Sequence, residues 1–147
     1  MADFAAMNGL FLEDLSVGQS AMFGKTVTEA DIMAFAGVSG DTNPIHLHEA
    51  FAKTTRFGQR IAHGMLSGSF ISTVVGTKLP GPGSVYVSQT LSFTAPVSIG
   101  DTVTAICTIT HINHERRRVT LKTQCLNGDI VVIDGEAVVS VPRRTPK

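Results

Sequence analysis

An acid and an imidazole lie five residues apart within residues 39–46, which read SGDTNPIH. A carboxylate and an imidazole that share one water molecule are sufficient for general acid–base chemistry near neutral pH. Proline fixes its own φ and favours an extended Asn43, so we predict a stiff, non-helical loop that holds Asp41 and His46 at a set separation. Asp and Asn also form ordinary turns, and Asn-Pro often begins one. From these residues alone, a plain turn is the more common structure.

Residues 63–79, HGMLSGSFISTVVGTKL, form the second informative stretch. Their apolar side chains recur at helical spacing, and no charge occurs before Lys78. Because glycine and β-branched residues disfavour an isolated helix, packing must hold this one, and we predict that it is buried nearly all round. Gly64, at its start, is a candidate oxyanion donor, since the first N–H groups of a helix are free and lie at the positive end of its dipole. Packing alone is an equally good reason for a glycine there.

The rest of the chain supplies the elements that must position these two stretches. A strand is expected at 20–27, a helix capped by Thr28 after it, and a further turn or two of helix at 48–54. Asn127-Gly128 predicts a type I′ hairpin turn. Four more strands are expected at about 84–95, 102–112, 118–126 and 130–141. This order predicts an α+β fold in which one strongly bent antiparallel sheet wraps around one long buried helix.

Composition bounds the remaining possibilities. The 147 residues indicate one domain over 1–147, with its core at about 10–141 and a frayed basic tail at 142–147. Hydrophobic residues make up 43% and charged residues 16%, which favours a wrapped central helix or an apolar surface covered by a second subunit. The formal net charge of zero gives no indication of nucleic acid or of an anionic membrane. Cys107 and Cys125 are expected to be buried free thiols, and the N-terminus has no targeting features, so we expect a cytoplasmic protein.

Two motifs in this order resemble a known family. Residues 40–46 (GDTNPIH) followed by 61–65 (IAHGM) resemble the MaoC-like, or hydratase 2, family of hot dog folds. Within it, the chain most resembles the (R)-specific enoyl-CoA hydratases, some of which feed polyhydroxyalkanoate synthesis. Residues 80–86 (PGPGSVY) and 91–93 (LSF) also match the family's usual run, and the likeness covers about 10–141. The resemblance implies a homodimer with sheets joined edge to edge, an acyl-CoA substrate bound in a tunnel near the interface, and no cofactor beyond that CoA.

The resemblance also implies catalytic roles. Asp41 and His46 would hold the water that adds to a trans-2-enoyl thioester, and Asn43 would border the catalytic pocket. It favours the oxyanion role of Gly64 over packing alone. Both hydrogen and hydroxyl would then add from one side of the alkene, because the acid and the base lie on one loop. Which of Asp41 and His46 is the base is not decided by the sequence.

Three further residues are substrate-binding candidates. Ser72 matches a family position near the acyl pocket, and packing against the sheet is its equal alternative. His63 begins the long helix, where a structural role is the more common one. Val75 is a candidate for setting acyl chain length, although core packing is the commoner role for an apolar helix residue.

Charged and metal-ligating groups complete the candidates. Asp41, His46, His48 and His63 are the imaginable metal ligands, but no HExxH or Cys/His cluster supports a site, and we predict no metal. Contacts to CoA phosphates have several weak candidates, namely Lys53, Arg56, Arg60 and the run 116–118.

Other functions remain open from the sequence. A hot dog thioesterase typically places a carboxylate on the central helix, and residues 63–79 contain neither Asp nor Glu. A dehydratase that runs the hydratase chemistry backward on a carrier-bound acyl chain stays open. So does a non-catalytic acyl-thioester binding module, against which the intact Asp41 and His46 pair argues.

Overall fold

A computed structural model describes residues 1–144. After two 3₁₀ turns (Ala5–Met7, Leu12–Asp14), the elements are β1 (Ser20–Thr26), α1 (Glu29–Ser39), α2 (Pro44–Leu47), α3 (Glu49–Lys53), α4 (Gly64–Thr77), β2 (Val85–Gln89), β3 (Ser92–Phe93), β4 (Thr102–Asn113), β5 (Arg118–Asn127) and β6 (Ile130–Ser140). The strands form one antiparallel sheet in the order β1-β4-β5-β6-β2, and β3 also pairs with β6. The predicted α+β hot dog architecture, an antiparallel sheet against one long helix, is confirmed. None of the described helices is long and apolar enough to cross a membrane.

The core lies between the sheet and α4. β5 forms where a strand was expected at 118–126, and alternate residues along it are buried from Val119 to Cys125. The facing side of α4 contributes Phe70, Ile71, Val74 and Val75. Cys107 and Cys125 are free and buried, as predicted, and burial raises the pKa of each thiol to about 12.

The prediction that α4 is buried nearly all round is wrong for this single chain. Met65 is 55% exposed, and Ser72 and Gly76 are exposed as well. The buried residues of α4 are Leu66, Ser67, Phe70, Ile71, Val74 and Val75, and its remaining residues are part-exposed or exposed.

The loop at 39–46 is only partly non-helical. Residues 40–43 are irregular, as predicted, but Pro44–Leu47 form a helical turn. The extended Asn43 (ψ 124°) caps this turn, because its side-chain oxygen accepts a hydrogen bond from Ile45 N at 3.1 Å. Proline fixes a φ that suits the first position of a helix, so Asn-Pro begins a helix here, where a non-helical loop was predicted.

Two details of the sheet also differ from prediction. The strand expected at 84–95 is divided into β2 and β3. Between them Thr90 passes so close to β6 that a Cβ on Gly135 would lie 1.9 Å from the Thr90 carbonyl oxygen, which explains the glycine at 135. The predicted β5–β6 hairpin is confirmed, but its turn is Gly128-Asp129, since Asn127 still pairs with Ile130. Of the two turn residues, Gly128 alone has positive φ, at 59°, so the type I′ turn is not formed.

The start of the predicted frayed tail is held in place. Leu12 N donates to the Pro142 carbonyl at 3.0 Å, and the Arg144 guanidinium pairs with Asp14. Frayed chain at 142–144 is therefore a wrong prediction, and residues 145–147 lie outside the described range.

Candidate active site

Asp41 lies on a turn organised by its own neighbours. Gly40 ends α1 with a φ of +77°, and Asp41 N donates to Ser39 Oγ at 3.1 Å. The Asp41 carboxylate accepts a hydrogen bond from Asn43 N at 3.2 Å. These short-range bonds fix the backbone of an exposed acid without burying its carboxylate.

His46, on α2, is 8% exposed. Its Nδ1 lies 2.7 Å from the Ile61 carbonyl oxygen. Because a carbonyl only accepts, Nδ1 carries the hydrogen and Nε2 carries a free lone pair. Burial lowers the pKa of His46 below its ordinary value of 6.5, against the opposing effects of the Ile61 bond and of Asp41. His46 is therefore a neutral imidazole with one unused acceptor.

His63 connects the start of α4 to the Asp41 turn. It is 1% exposed, and its Nε2 donates to the Asp41 backbone carbonyl at 2.9 Å. Its ring stacks on His46, with centroids 3.9 Å apart and planes at 31°, and contacts Phe35 on another side at 4.9 Å. The structural role that was the more common expectation for His63 is thus visible in its contacts.

The three polar side chains converge on one cavity of about 460 Å³. One carboxylate oxygen of Asp41 and one ring nitrogen each of His46 and His63 lie within 4.8 Å of one another. A single water can hydrogen-bond to two atoms at such a separation. The apolar wall of the cavity comes from residues 93–97, Val132 and Ile133. Asp41 and His46 therefore line the same cavity, as the hydratase hypothesis requires.

The same three side chains are the candidate metal ligands of the described residues. A metal ligated by two imidazoles lies in the plane of each ring, about 2 Å from nitrogen. The planes of His46 and His63 are stacked at 3.9 Å and only 31° apart, so they meet too far from the rings to share an ion. His48 is exposed, and its Nδ1 accepts from Phe51 N at the start of α3. The arrangement favours a shared water over a shared metal.

The sequence profile of the MaoC like domain matches residues 15–128. The chain belongs to the MaoC-like family. It is 57% identical over 134 residues to the (R)-specific enoyl-CoA hydratase of Rhodospirillum rubrum, covering 91% of this chain and 93% of that protein. It is 51% identical over 135 residues to the 3-hydroxybutyryl-CoA dehydratase of Methylorubrum extorquens, covering 92% and 86%. The solved structure of the (R)-hydratase from A. caviae involved in PHA biosynthesis matches with a TM-score of 0.85 and 44% identity, covering 88% of this chain and 99% of that one.

Gly64 of this MaoC-like chain is the first residue of α4 and lines the cavity. Its N–H has no acceptor within the helix and lies at the positive end of the dipole. A Cβ at Gly64 would lie 2.7 Å from two ring carbons of Phe93 in the cavity wall. Packing against Phe93 and a free N–H at the cavity are therefore compatible reasons for the same glycine.

Three of the predicted site residues do not line the cavity in this MaoC-like chain. Asn43 is exposed, and its side chain caps α2. Its hydrogen bond to the backbone helps to position that helical turn. Ser72 lies two turns along α4 on its uncovered side, and Val75 is buried in the core. The substrate-binding roles of Ser72 and Val75, and the catalytic role of Asn43, stay predictions.

Sequence reasoning missed several cavity residues. Ser67 is 1% exposed and lines the cavity, and its Oγ has no hydrogen-bond partner among the described residues. It follows His63, whose Nδ1 is also buried without a partner, by four residues on the same helix face. That spacing was a usable signal. Phe57 lines the cavity as well and was also missed, whereas its neighbour Arg56, which lines the cavity too, was among the sequence candidates for CoA phosphates.

Replacing His63 with Phe should keep the stacked ring but remove the donor to the Asp41 carbonyl. We expect the free energy of unfolding to fall by about 1 kcal/mol, since the part-buried Asp41 carbonyl loses its hydrogen-bond donor. We expect kcat for enoyl-CoA hydration to fall by roughly tenfold or more with little change in KM, because the Asp41 turn is less well fixed. Urea unfolding and steady-state kinetics measure the two effects. An unchanged kcat in a folded variant would contradict the positioning role of His63.

Proposed function

We propose that this chain catalyses the reversible, (R)-specific hydration of trans-2-enoyl-CoA to (R)-3-hydroxyacyl-CoA. The observation that carries the proposal is the shared cavity, in which the Asp41 carboxylate and a His46 ring nitrogen lie within 4.8 Å. The names of the relatives support the substrate class, because a hydratase and a dehydratase of acyl-CoA describe two directions of one reaction.

The proposed reaction begins with a water held by Asp41 and His46. His46 Nε2 takes one proton from the water while the water oxygen bonds to the β-carbon of the enoyl thioester. Asp41 accepts a hydrogen bond from the other O–H of the water, which stays intact as the product hydroxyl, and so orients the water oxygen. The alkene electrons move to the thioester oxygen, and the Gly64 N–H donates to the negative charge that develops there.

The second half of the reaction returns the proton. The His46 imidazolium, next to the Asp41 carboxylate, delivers its proton to the α-carbon as the enolate collapses to the thioester. One water is added in total, and His46 ends as a neutral imidazole. Hydroxyl and hydrogen add to the same face of the alkene, because both come from the side of the substrate that faces α2.

The proposal predicts that activity is lost on the acid side of neutrality. Burial lowers the pKa of His46 below 6.5, and only the neutral ring accepts a proton from water. The ratio kcat/KM should therefore fall as pH drops through a value below 6.5 and be constant above it. The measurement should use crotonyl-pantetheine, because it lacks the phosphates of CoA. A phosphate has a second pKa of about 6 and would add its own titration to the profile. A limiting pKa above 6.5 would contradict the assignment of His46 as the base.

Folding stability should change in the same direction with pH. The unfolded chain protonates His46 at its ordinary pKa, and the folded chain does so only at a lower pH. Between these two values the unfolded state binds more protons, so stability falls as pH decreases.

We also propose that the active form is a homodimer. β2 is an edge strand of the sheet, and its Val85, Tyr86 and Val87 are exposed in the single chain. An exposed apolar edge strand is a template for pairing with another strand. The uncovered side of α4 is a second surface that a partner would bury.

One assay separates the hydratase from its rivals. Crotonyl-CoA should lose its enone absorbance on addition of the protein, with no release of free thiol and with (R)-3-hydroxybutyryl-CoA as product. Thiol release would instead indicate a thioesterase, and unchanged absorbance would indicate a binding module. A much higher kcat/KM on the same acyl group attached to a carrier protein would favour the carrier-linked dehydratase.

A further inference from the structure

We propose that Arg56 is a specificity-determining residue that binds a phosphate of the CoA substrate at the mouth of the cavity. The proposal rests on the proposed hydratase function and adds to it the group that recognises the distal part of the substrate. It follows from the position of Arg56 in the cavity lining and from the contacts that orient its side chain. It also follows from the ion pairs that the neighbouring Lys53 and Arg60 make with other residues.

Arg56 is part of the cavity lining, together with Asp41 and His46, and its side chain is exposed to solvent. Among the described residues that line the cavity, Asp41 is the one carboxylate and Arg56 is the one side chain of the Lys and Arg type. A thioester that reaches His46 would leave its pantetheine arm in the cavity and its phosphates in solvent, where an exposed cation of the lining is available to bind them.

The guanidinium is held in place before any substrate arrives. It lies over the ring of Phe57, 4.8 Å from its centroid. The backbone around it is fixed by Thr55, whose Oγ1 donates to Ala52 O at 2.7 Å and accepts from Phe57 N at 3.3 Å. A side chain that is already oriented loses less freedom on binding.

Arg56 has no ion-pair partner within residues 1–144, whereas its neighbours are engaged. Lys53 lies 3.9 Å from Glu49 on the same helix and does not line the cavity. Arg60 donates to Glu29 at 2.9 Å and to the His46 carbonyl at 2.6 Å, so its guanidinium is already bound and holds the backbone of His46. The basic run at 116–118 lies at the β4–β5 hairpin, away from the cavity lining. Of the four candidates that the sequence offered for contacts to CoA phosphates, Arg56 is the one that both lines the cavity and has no ion-pair partner within residues 1–144.

The chemistry of the ligand matches this group. CoA carries a diphosphate and a 3′-phosphate beyond the pantetheine arm, whereas the arm of a carrier protein carries one phosphate. A planar guanidinium donates two parallel hydrogen bonds to phosphate oxygens, and lysine provides only a point charge. The same contact is therefore available to either source, and the substrates below distinguish them.

The test compares Arg56→Met with the wild type on crotonyl-CoA, crotonyl-phosphopantetheine and crotonyl-pantetheine. We expect KM for crotonyl-CoA to rise about tenfold, kcat to change less than about twofold, and KM for crotonyl-pantetheine to stay constant. Arg56→Lys should lie between the two. Lys53→Met removes the same charge three residues away and should leave every KM unchanged. An effect that persists on crotonyl-phosphopantetheine identifies the phosphate shared with carrier proteins, and an effect on crotonyl-CoA alone identifies the nucleotide phosphates.

Two results would overturn the proposal. An equal rise in KM on crotonyl-pantetheine would show that Arg56 shapes the mouth or contacts the pantetheine arm. No rise on any thioester would show that it contacts nothing. Calorimetric binding of butyryl-CoA and butyryl-pantetheine repeats the comparison without turnover. If the wild type hydrates no thioester, the proposed function fails in that assay, while the binding data still decide whether Arg56 recognises phosphate.

Discussion

Replacing Asp41 with Asn should lower kcat for crotonyl-CoA hydration by about 10³-fold while the fold is retained. Asn has the same shape as Asp, and its amide oxygen can accept the hydrogen bond that Asn43 N donates to the Asp41 carboxylate at 3.2 Å. The variant loses the negative charge that accepts a hydrogen bond from the water and that stabilises the imidazolium form of His46. Since Asp41 is exposed and makes no ion pair among the described residues, the free energy of unfolding should change little.

The matched control is Asp129→Asn, which makes the same change at the exposed β5–β6 turn, away from the cavity lining. Both variants are measured by initial rates of enone loss and by thermal unfolding. A folded Asp41→Asn variant with a kcat within about tenfold of the wild type would show that residues 40–43 are a plain turn with no catalytic role.

His46→Gln should also lower kcat by about 10³-fold. The Gln amide N–H lies one bond farther from Cβ than Nδ1 and can reach the part-buried Ile61 carbonyl in a different rotamer, so that acceptor can keep a partner. It has no group that takes a proton at neutral pH, and the residual rate should lose the fall in kcat/KM that His46 causes below pH 6.5. The lost ring contact with His63 should lower the free energy of unfolding by roughly 1–2 kcal/mol.

His48→Gln is the control for this change, because His48 lies two residues along the chain, is exposed, and contacts only the start of α3 in the contacts described above. Its kcat should equal that of the wild type, with a small loss of stability from the weakened helix cap. If His46→Gln retained both its rate and its pH profile, the base would have to lie elsewhere in the cavity.

Local sequence signals predicted much of this molecule. The alternation along β5 and the helical spacing after His63 each depend on neighbours in the chain, and both were confirmed. The proline at position 44 was interpreted as favouring an extended Asn43 and a non-helical loop, yet its fixed φ equally suits the start of a helix. The Asn43 cap decided between the two, and a cap is visible only with the backbone around it.

The features that sequence could not predict depend on contacts across the chain. The tautomer of His46 follows from its bond to Ile61 O, fifteen residues away, and our proposal of His46 as the base rests on that bond. The exposure of Met65 depends on which side of α4 the sheet covers. The selection of Arg56 depends on its neighbours being engaged elsewhere, which no local pattern encodes.

The central claim is that Asp41 and His46 act on one water from one side of the substrate. Hydration of crotonyl-CoA in D₂O tests it most directly, because the product then carries deuterium at C2 and the hydroxyl at C3. Proton NMR of the product gives the relative configuration of these two centres. We predict a single diastereomer in which deuterium and hydroxyl have added to the same face. Addition to opposite faces, or a mixture of diastereomers, would contradict a water shared by Asp41 and His46.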